Sequence, residues 1–333
     1  MIDAMATAPH DRPHVRIVSP ALAAANNGNW HTASRWQRFL APVASVEIGL
    51  DWTGEDCDVL IALHARRSAD AMARYRAERP AAPLALVLTG TDLYRDLEEN
   101  DPAARHSLEC ASALVVLQEA GLVRLDAGSR AKARVIVQSA PALVAARRDG
   151  DADFVAVGHL RDEKDPLTLM SAARQLAEDS GAGRPPTIVH LGGPLDDALA
   201  AAARATMAAC PAYRWLGAAS HAGARRTIAR ARALVHPSRM EGGANVVIEA
   251  VRSRVPVLAS RIDGNVGLLG ADYEGYFPVG DAAALAALMR RFVADTGFAG
   301  RLAAQCAVRE PMFRPAAERA AVRRLVADLL PAR

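Results

Sequence analysis

Lysine is almost missing from this chain of 333 residues: only Lys132 and Lys164 stand beside 38 arginines and 73 alanines. That bias reflects coding composition and says little about fold, but it makes each lysine conspicuous. Cysteine is scarce too. Cys57, Cys110, Cys210 and Cys306 lie far apart and form no Cys-x-x-Cys pair, which argues against a disulfide framework and a zinc site and for a reducing compartment. No run of 18 or more apolar residues is free of charge, and Met1 to Arg12 lacks a basic stretch leading into an apolar segment. Neither a membrane span nor a leader is therefore expected, and the expected location is cytoplasmic. An excess of one charge is lacking as well: 40 basic against 37 acidic side chains leave +3, with no Lys/Arg run interleaved with aromatics, so nucleic acid is not an expected partner. What remains is an ordinary globular composition, 51% hydrophobic and 23% charged, which excludes a disordered, collagenous or coiled-coil chain. At roughly 100 to 200 residues per domain, the length fits two domains.

Short runs of Val, Ile, Leu and Ala alternate with helical patterns of ten or more residues, the grammar of parallel βαβ units and an α/β fold. In the first half the strand candidates are Val15 to Ser19, Val43 to Ile48, Val59 to Leu63, Leu84 to Leu88, Ala113 to Val116 and Arg134 to Val137. Helical stretches such as Trp30 to Leu40 and Ala69 to Glu78 lie between them. A polar break from Arg147 to Asp153 marks an exposed boundary. The grammar then restarts with strands Phe154 to Val157, Thr187 to Leu191, Ala233 to His236 and Val257 to Ser260, and helices near Pro166 to Ala177, Asp196 to Ala209 and Gly243 to Ser253. Pro315 opens a last amphipathic stretch, Ala316 to Leu330, in the favoured first-turn position.

In open parallel sheets, ligands bind beyond the carboxyl ends of the strands, so the segments after each strand are the informative ones. After the first strand, Asn26-Asn27-Gly28-Asn29 suits a tight turn that presents backbone N–H groups at a helix start; alone it is equally a plain turn. His64-Ala65-Arg66-Arg67 follows the third strand and Thr89-Gly90-Thr91-Asp92 the fourth, so cationic and hydroxyl groups gather at one edge. A solvated surface would also explain the two arginines. The strand ending at His236 runs into Ser238-Arg239-Met240-Glu241-Gly242-Gly243-Ala244-Asn245, followed by a helix carrying Glu249. Strand, Gly-Gly, then helix is an anion-binding arrangement. Glu241 and Glu249 are at most roughly 12 Å apart at helical rise, about the reach from a sugar across a diphosphate to a ribose. Glu249 lies among Val246, Val247, Ile248, Ala250 and Val251, where a carboxylate needs a partner. In Gly158-His159-Leu160-Arg161-Asp162-Glu163-Lys164-Asp165-Pro166, a lysine kept in an arginine-rich chain suits a compact charge on diphosphate oxygens. Leu191-Gly192-Gly193 and Trp215-Leu216-Gly217 end further strands of that sheet, where backbone groups could read a nucleobase edge.

The motif Ser238-x-x-Glu241-Gly242-Gly243-x5-Glu249-Ala250, with Val255-Pro256-Val257 and Asp263-Gly264-Asn265 behind it, resembles the Glu-x7-Glu signature of the family 4 glycosyltransferases of GT-B fold. Gly158-His159-Leu160-Arg161-x-x-Lys164 is similar to that family's Gly-Arg-Leu-x-x-x-Lys-Gly phosphate loop, with His159 in place of Arg and Asp165 in place of Gly. The resemblance implies two Rossmann-like parallel-sheet domains facing a central cleft. They are an acceptor domain over 13–148 and a nucleotide-sugar donor domain over 149–312, with a C-terminal helix, 313–333, crossing back onto the first. It implies Glu241, Lys164 and Arg161 as catalytic residues. Gly28, Gly158, His159, Gly217, Ser238, Gly242, Gly243, Ala244, Asn245 and Glu249 are implied to bind the donor, Glu241 also touching its sugar, Glu249 its ribose and Gly28 its phosphates.

Pro20-Ala21-Leu22-x3-Asn26-Asn27-Gly28-Asn29-Trp30-x-Thr32-Ala33, Thr89-Gly90-Thr91-Asp92-Leu93-Tyr94 and the loop from Gly158 to Pro166 resemble a narrower group, the selenosugar synthases of selenoneine biosynthesis. This implies transfer of a sugar from a UDP-sugar, UDP-N-acetylglucosamine or UDP-glucose, to selenophosphate with formation of a C–Se bond. Selenophosphate is an ionised, soft nucleophile, so positioning and leaving-group stabilisation can replace a strong base. Asn26, Asn27, Asn29, Thr32, His64, Arg66, Arg67, Thr89, Thr91 and Asp92 form the expected acceptor shell. No Asp-x-Asp motif follows a strand in the second half, and neither a metal nor another cofactor is expected. Three rivals stand beside this reading: a general family 4 transferase with a hydroxyl acceptor, for which Asp92 or His64 would serve as base; a non-catalytic module that binds UDP-sugars; and, more distant, a UDP-sugar epimerase of the same two-domain architecture.

Overall fold

The computed structural model describes residues 12–179 and 184–331. The stretch Met1 to Arg12, searched above for a leader, lies outside them except for Arg12, and so do the last two residues of the 313–333 segment. The first sheet is built from β1 (His14–Val18), β2 (Ser45–Gly49), β3 (Val59–Leu63), β4 (Leu84–Leu88), β5 (Ala113–Val116) and β6 (Ala133–Val135). The second comprises β7 (Phe154–Val157), β8 (Ile188–Leu191), β9 (Tyr213–Trp215), β10 (Ala233–His236), β11 (Val257–Ser260) and β12 (Tyr276–Phe277). The first half carries helices α1 (Gly28–Leu40), α2 (Ala69–Glu78), α3 (Pro102–Cys110) and α4 (Ala127–Ala131). The second carries α5 (Pro166–Asp179), α6 (Asp197–Ala209), α7 (His221–Arg230), α8 (Asn245–Arg252), α9 (Asp263–Leu269), α10 (Ala282–Ala294) and α11 (Thr296–Arg309), and α12 (Pro315–Leu329) closes the chain.

All strand pairs are parallel, and the orders are β2-β1-β3-β4-β5-β6 and β12-β11-β10-β7-β8-β9. Both faces of each sheet are covered, which is why β3, β4 and β5 read as unbroken apolar runs, and why β8, β10 and β11, interrupted only by His190, His236 and Ser260, are buried throughout as well. Each order reverses once, between β1 and β3 in the first sheet and between β7 and β10 in the second. Crevices open at such reversals, outside the carboxyl ends of the strands. The segments singled out from the sequence follow these four strands: Asn26 to Asn29 after β1, His64 to Arg67 after β3, Gly158 to Lys164 after β7 and Ser238 to Glu249 after β10.

The last helix packs on the first half. Val322, Leu325 and Val326 join Trp36 and Leu40 of α1 in one core, and Glu318, 1% exposed, is held there by three donors. Arg35 Nε at 2.7 Å, Trp36 Nε1 at 2.8 Å and the Ser139 hydroxyl all donate to its carboxylate. A buried carboxylate so surrounded is tolerable, whereas removing Arg35 alone would cost about 3–5 kcal/mol.

Several boundaries differ from the sequence reading. The expected strand Val43 to Ile48 begins at Ser45, because the N–H groups of Val43 and Ala44 turn back to the Leu40 carbonyl and close α1. The helix expected from Gly243 begins at Asn245, with Ala244 as its cap. β12, of 2 residues, is too short to show a period, and α7 is a helix that the charged run after Ser220 hides.

Candidate functional site

A cavity of about 560 Å³ lies between the two sheets at the carboxyl ends of their strands. Asn26, Asn27, Gly28, Asn29, Thr32, His64, Arg67, Thr89 and Thr91 line it from the first half. Gly158, His159, Arg161, Lys164, Glu241, Gly243, Ala244, Asn245 and Glu249 line it from the second. The halves also touch at its rim. Arg95 Nη1 donates to Glu163 at 3.1 Å, Arg124 Nε to Asp263 at 2.8 Å, and Asn26 Nδ2 to the Ala219 carbonyl at 3.2 Å.

On the first-half side, Asn27 caps α1 by accepting the Trp30 N–H, and Asn26 takes the left-handed conformation, φ 42°, that asparagine tolerates. Gly28 thereby comes against α8: a Cβ on it would lie 3.8 Å from Asn245 Nδ2. His64 also has positive φ, 74°, an uncommon state for a residue with a side chain and one concentrated at functional sites. In that conformation its Nε2 lies 2.9 Å from the Thr91 hydroxyl. Burial lowers its pKa against the opposing pull of Asp92, favouring the neutral ring.

Five expected site residues stand off the cavity wall, each for a physical reason. Asp92 is fully buried and accepts the N–H groups of Ala65, Thr89, Gly90 and Leu93, so its carboxylate fixes two loops and is not free to act as a base. Arg66 points to Asp101 at 3.2 Å and Asp96 at 3.8 Å, away from its neighbour Arg67. Gly242 serves close approach rather than an anion: a Cβ there would lie 2.5 Å from the Thr89 carbonyl carbon across the cleft. Ser238 is 1% exposed, with its carbonyl accepting from the Ser260 hydroxyl. Gly217 turns the chain after β9 at φ +71° and passes its carbonyl to the Gly192 N–H.

On the second-half side, both departures from the resembled phosphate loop have structural accounts. Asp165 has φ +45°, a conformation that favours glycine; the aspartate tolerates it and accepts from the Thr168 hydroxyl at 2.8 Å at the start of α5. His159 Nδ1 accepts the Gly193 N–H at 3.0 Å, and burial, then Arg161, lower its pKa. A ring so held is neutral, and the cationic charge of this loop stands on Arg161 and Lys164. Lys164 Nζ donates to Glu241 Oε1 in a short ion pair, and His236 Nε2 lies 3.3 Å from the same oxygen. Burial by itself would push the Glu241 carboxyl up, but Lys164 and then His236 hold it far below the usual carboxylate range.

Glu249, 5% exposed, has the partner its apolar setting demands: His221 Nε2 at 2.5 Å, from the first turn of α7. The His221 ring packs on that of His31 from α1, with centroids 4.3 Å apart. Burial, then His221, Arg35 and Arg38, lower the His31 pKa to about 4. The sequence reading missed His31 and His221. The only signal for His221 is its place directly after a helix-capping serine, Ser220, beyond a strand end, and His31 lies inside the segment already marked by Asn26 to Asn29.

Ala244, the cap of α8, makes no side-chain capping bond, so no side chain of the cap occupies the N–H groups of the first turn, and Gly243 to Val246 line the cavity between Glu241 and Glu249. Two facing parallel-sheet units with a basic, glycine-lined cleft and a C-terminal helix returning to the first unit define the GT-B glycosyltransferase fold. Residues 144–307, just under half of the chain, match the family of glycosyl transferases group 1. Among solved structures the chain is similar to sucrose-phosphate synthase from Thermosynechococcus elongatus, with 15% identity over 96% of this chain and 99% of that one and a TM-score of 0.78. It is also similar to HepE of Anabaena, solved with UDP and glucose, at 14% identity over 95% of this chain and 100% of that one, TM-score 0.72. TarM of S. aureus, solved with UDP, fondaparinux and alpha-GlcNAc-glycerol, shares 14% identity over 82% of this chain with a TM-score of 0.64, and this chain spans only 55% of its length. No curated protein sequence matches the chain.

Proposed function

We propose that the chain transfers a sugar from UDP-N-acetylglucosamine or UDP-glucose to selenophosphate, as a selenosugar synthase of selenoneine biosynthesis. The donor side rests on the group 1 domain, on the α8 start between Glu241 and Glu249, and on similar folds solved with UDP. One observation carries the acceptor side. Every carboxylate lining the cavity, Glu163, Glu241 and Glu249, comes from the second half, whereas the first-half wall presents Arg67, which has no acidic partner among the described residues. A wall with a free guanidinium, threonine hydroxyls and no acid suits a small anion.

In this reading selenium attacks the anomeric carbon as the bond to the UDP oxygen breaks, and the bonding pair leaves with UDP. Lys164, Arg161 and the α8 N–H groups meet the charge that develops on the diphosphate. Water then cleaves the Se–P bond, leaving the sugar selenol and phosphate. No metal and no other cofactor is assigned a part. Glu241 and Glu249 hold donor hydroxyls as hydrogen-bond acceptors, Glu249 those of the ribose.

A second reading, transfer to a hydroxyl acceptor, has one observation in its favour: His64 is a neutral imidazole beside Thr91 and able to take a proton, whereas Asp92 is fully engaged by backbone N–H groups. UDP release from UDP-N-acetylglucosamine, with and without selenophosphate, followed by mass spectrometry for the selenium isotope pattern, decides. Selenophosphate-dependent UDP and a selenium-bearing sugar are expected. UDP release without selenium incorporation would return the protein to the hydroxyl reading, and no release with any acceptor would leave a binding module.

A further inference from the structure

Glu241 carries both of its partners on one oxygen. Lys164 and His236 lie at Oε1, and among the described residues no group bonds Oε2. The two partners differ in freedom. Lys164 is the last residue of a short turn and its ammonium ends a flexible stem. His236 is the last residue of β10, paired in register with Ala259, and 2% exposed. Its Nε2 is fully buried and, although 3.3 Å from Oε1, makes no hydrogen bond with any group. A buried ring nitrogen without a partner costs free energy and needs a function or a compensating state.

On the proposed function, which this inference takes as its basis, the donor diphosphate brings two negative charges to the loop that holds Lys164. Coulomb attraction to two charges outweighs that to one carboxylate at similar distance, so the ammonium turns toward the diphosphate. Glu241, whose side chain is only 11% exposed, then loses its main counter-charge. A buried carboxylate left without a partner takes up a proton or turns away. His236 cannot leave, and with its proton on Nε2 it is the donor within reach of Oε1.

We propose that His236 is a positioning residue: it takes over Oε1 when Lys164 moves to the donor, keeping Glu241 ionised with Oε2 directed at the transferred sugar. The orphaned nitrogen is then the resting half of a partner exchange, unsatisfied before the donor binds and satisfied after.

The test uses the full chain, with His236→Met and His236→Gln, which are similar in size and differ in having a donor. In the Met variant kcat with UDP-N-acetylglucosamine is expected to fall about 10- to 100-fold, the range for a hydrogen bond to a charged group, while the Kd for UDP alone changes less than about twofold. The Gln variant should recover most of kcat. In a Glu241→Gln background the His236→Met substitution should have almost no further effect, because its action runs through the carboxylate. Equal loss in both variants, loss of UDP affinity in step with kcat, or additive effects in the double variant would overturn the proposal. So would an unchanged kcat in His236→Met. Wild-type chain that releases no UDP from any UDP-sugar would instead refute the transferase reading beneath it.

Discussion

The cleft holds two carboxylates eight positions apart, Glu249 buried and Glu241 largely so, each beside a histidine, and they are supported in opposite ways. Glu241 is held by Lys164, with His236 beside the same oxygen, both from the second half of the chain. Glu249 is held by His221, also from the second half, but that ring in turn rests on His31 from α1 of the first half. One carboxylate is therefore set by a single sheet and its loops. The other is set through a ring stack that exists only when the halves meet. Glu241 sits beside the loop carrying the cationic charge, where bonds change in the proposed reaction; Glu249 sits at the contact between the two halves.

The sharpest way to break the comparison is to remove each acid in turn. Glu241→Gln keeps size and removes the charge, and is expected to lower kcat by about 10²- to 10³-fold with little change in UDP affinity, the range for losing a preorganised electrostatic group. Glu249→Ala should act on binding instead, weakening UDP-sugar affinity by about 10- to 100-fold in calorimetry while the little donor that binds still turns over. A reversed pattern, binding lost at Glu241 and rate lost at Glu249, would exchange the two roles.

A smaller effect tests whether Glu249 depends on that contact. His31→Ala removes the far side of the ring stack and touches neither acid, so donor affinity should fall about 3- to 10-fold, with the loss vanishing in a Glu249→Ala background. The same contact has a pH signature. Burial, then His221, Arg35 and Arg38, lower the His31 pKa to about 4 from an ordinary value of 6.5, so below 6.5 a state in which the halves part or unfold binds more protons. Closure weakens as pH falls from 6.5 toward 4 and changes no further below that. The groups facing this ring are His221 with Glu249 behind it, Asn26 at 3.1 Å, and Arg35 and Arg38 on its own helix. Donor affinity measured across that window should decline in the wild type and stay flatter in His31→Ala; parallel curves would assign the decline to other groups.

Much of this was legible beforehand, and the limits have physical causes. Apolar runs announced parallel strands because both sheet faces are covered, and the loops after the strands at the order reversals line the cavity because crevices open there. Spacing placed Glu241 and Glu249 on one cleft wall, since a short segment and a helix start fix their reach. What the sequence concealed depends on contacts distant along the chain. Asp92 reads as a free carboxylate, and only the fold brings the Ala65 N–H to it; Gly242 reads as an anion glycine, and only the fold sets Thr89 against it. His31 and His221 are 190 positions apart by number, and nothing local marks them as stacked.

The finest distinction concerns the residue after Lys164. Asp165 stands in a left-handed conformation that glycine adopts more readily, yet its carboxylate accepts from Thr168 and lies 3.3 Å from Arg239. Asp165→Gly relieves backbone strain and removes a helix cap, and the two act in opposite directions. Losing the cap costs about 0.5–2 kcal/mol, partly offset by the relief, so the net loss should be about 1 kcal/mol, a melting shift of a few degrees. Because α5 starts at the next residue, Pro166, a looser turn loosens Lys164 and with it the support of Glu241, while the His221 side is untouched. Asp165→Gly should therefore lower kcat slightly and leave the Glu249-dependent affinity for the nucleoside part of the donor unchanged. An equal fall in UDP affinity and kcat would mean that the two carboxylates share their support after all.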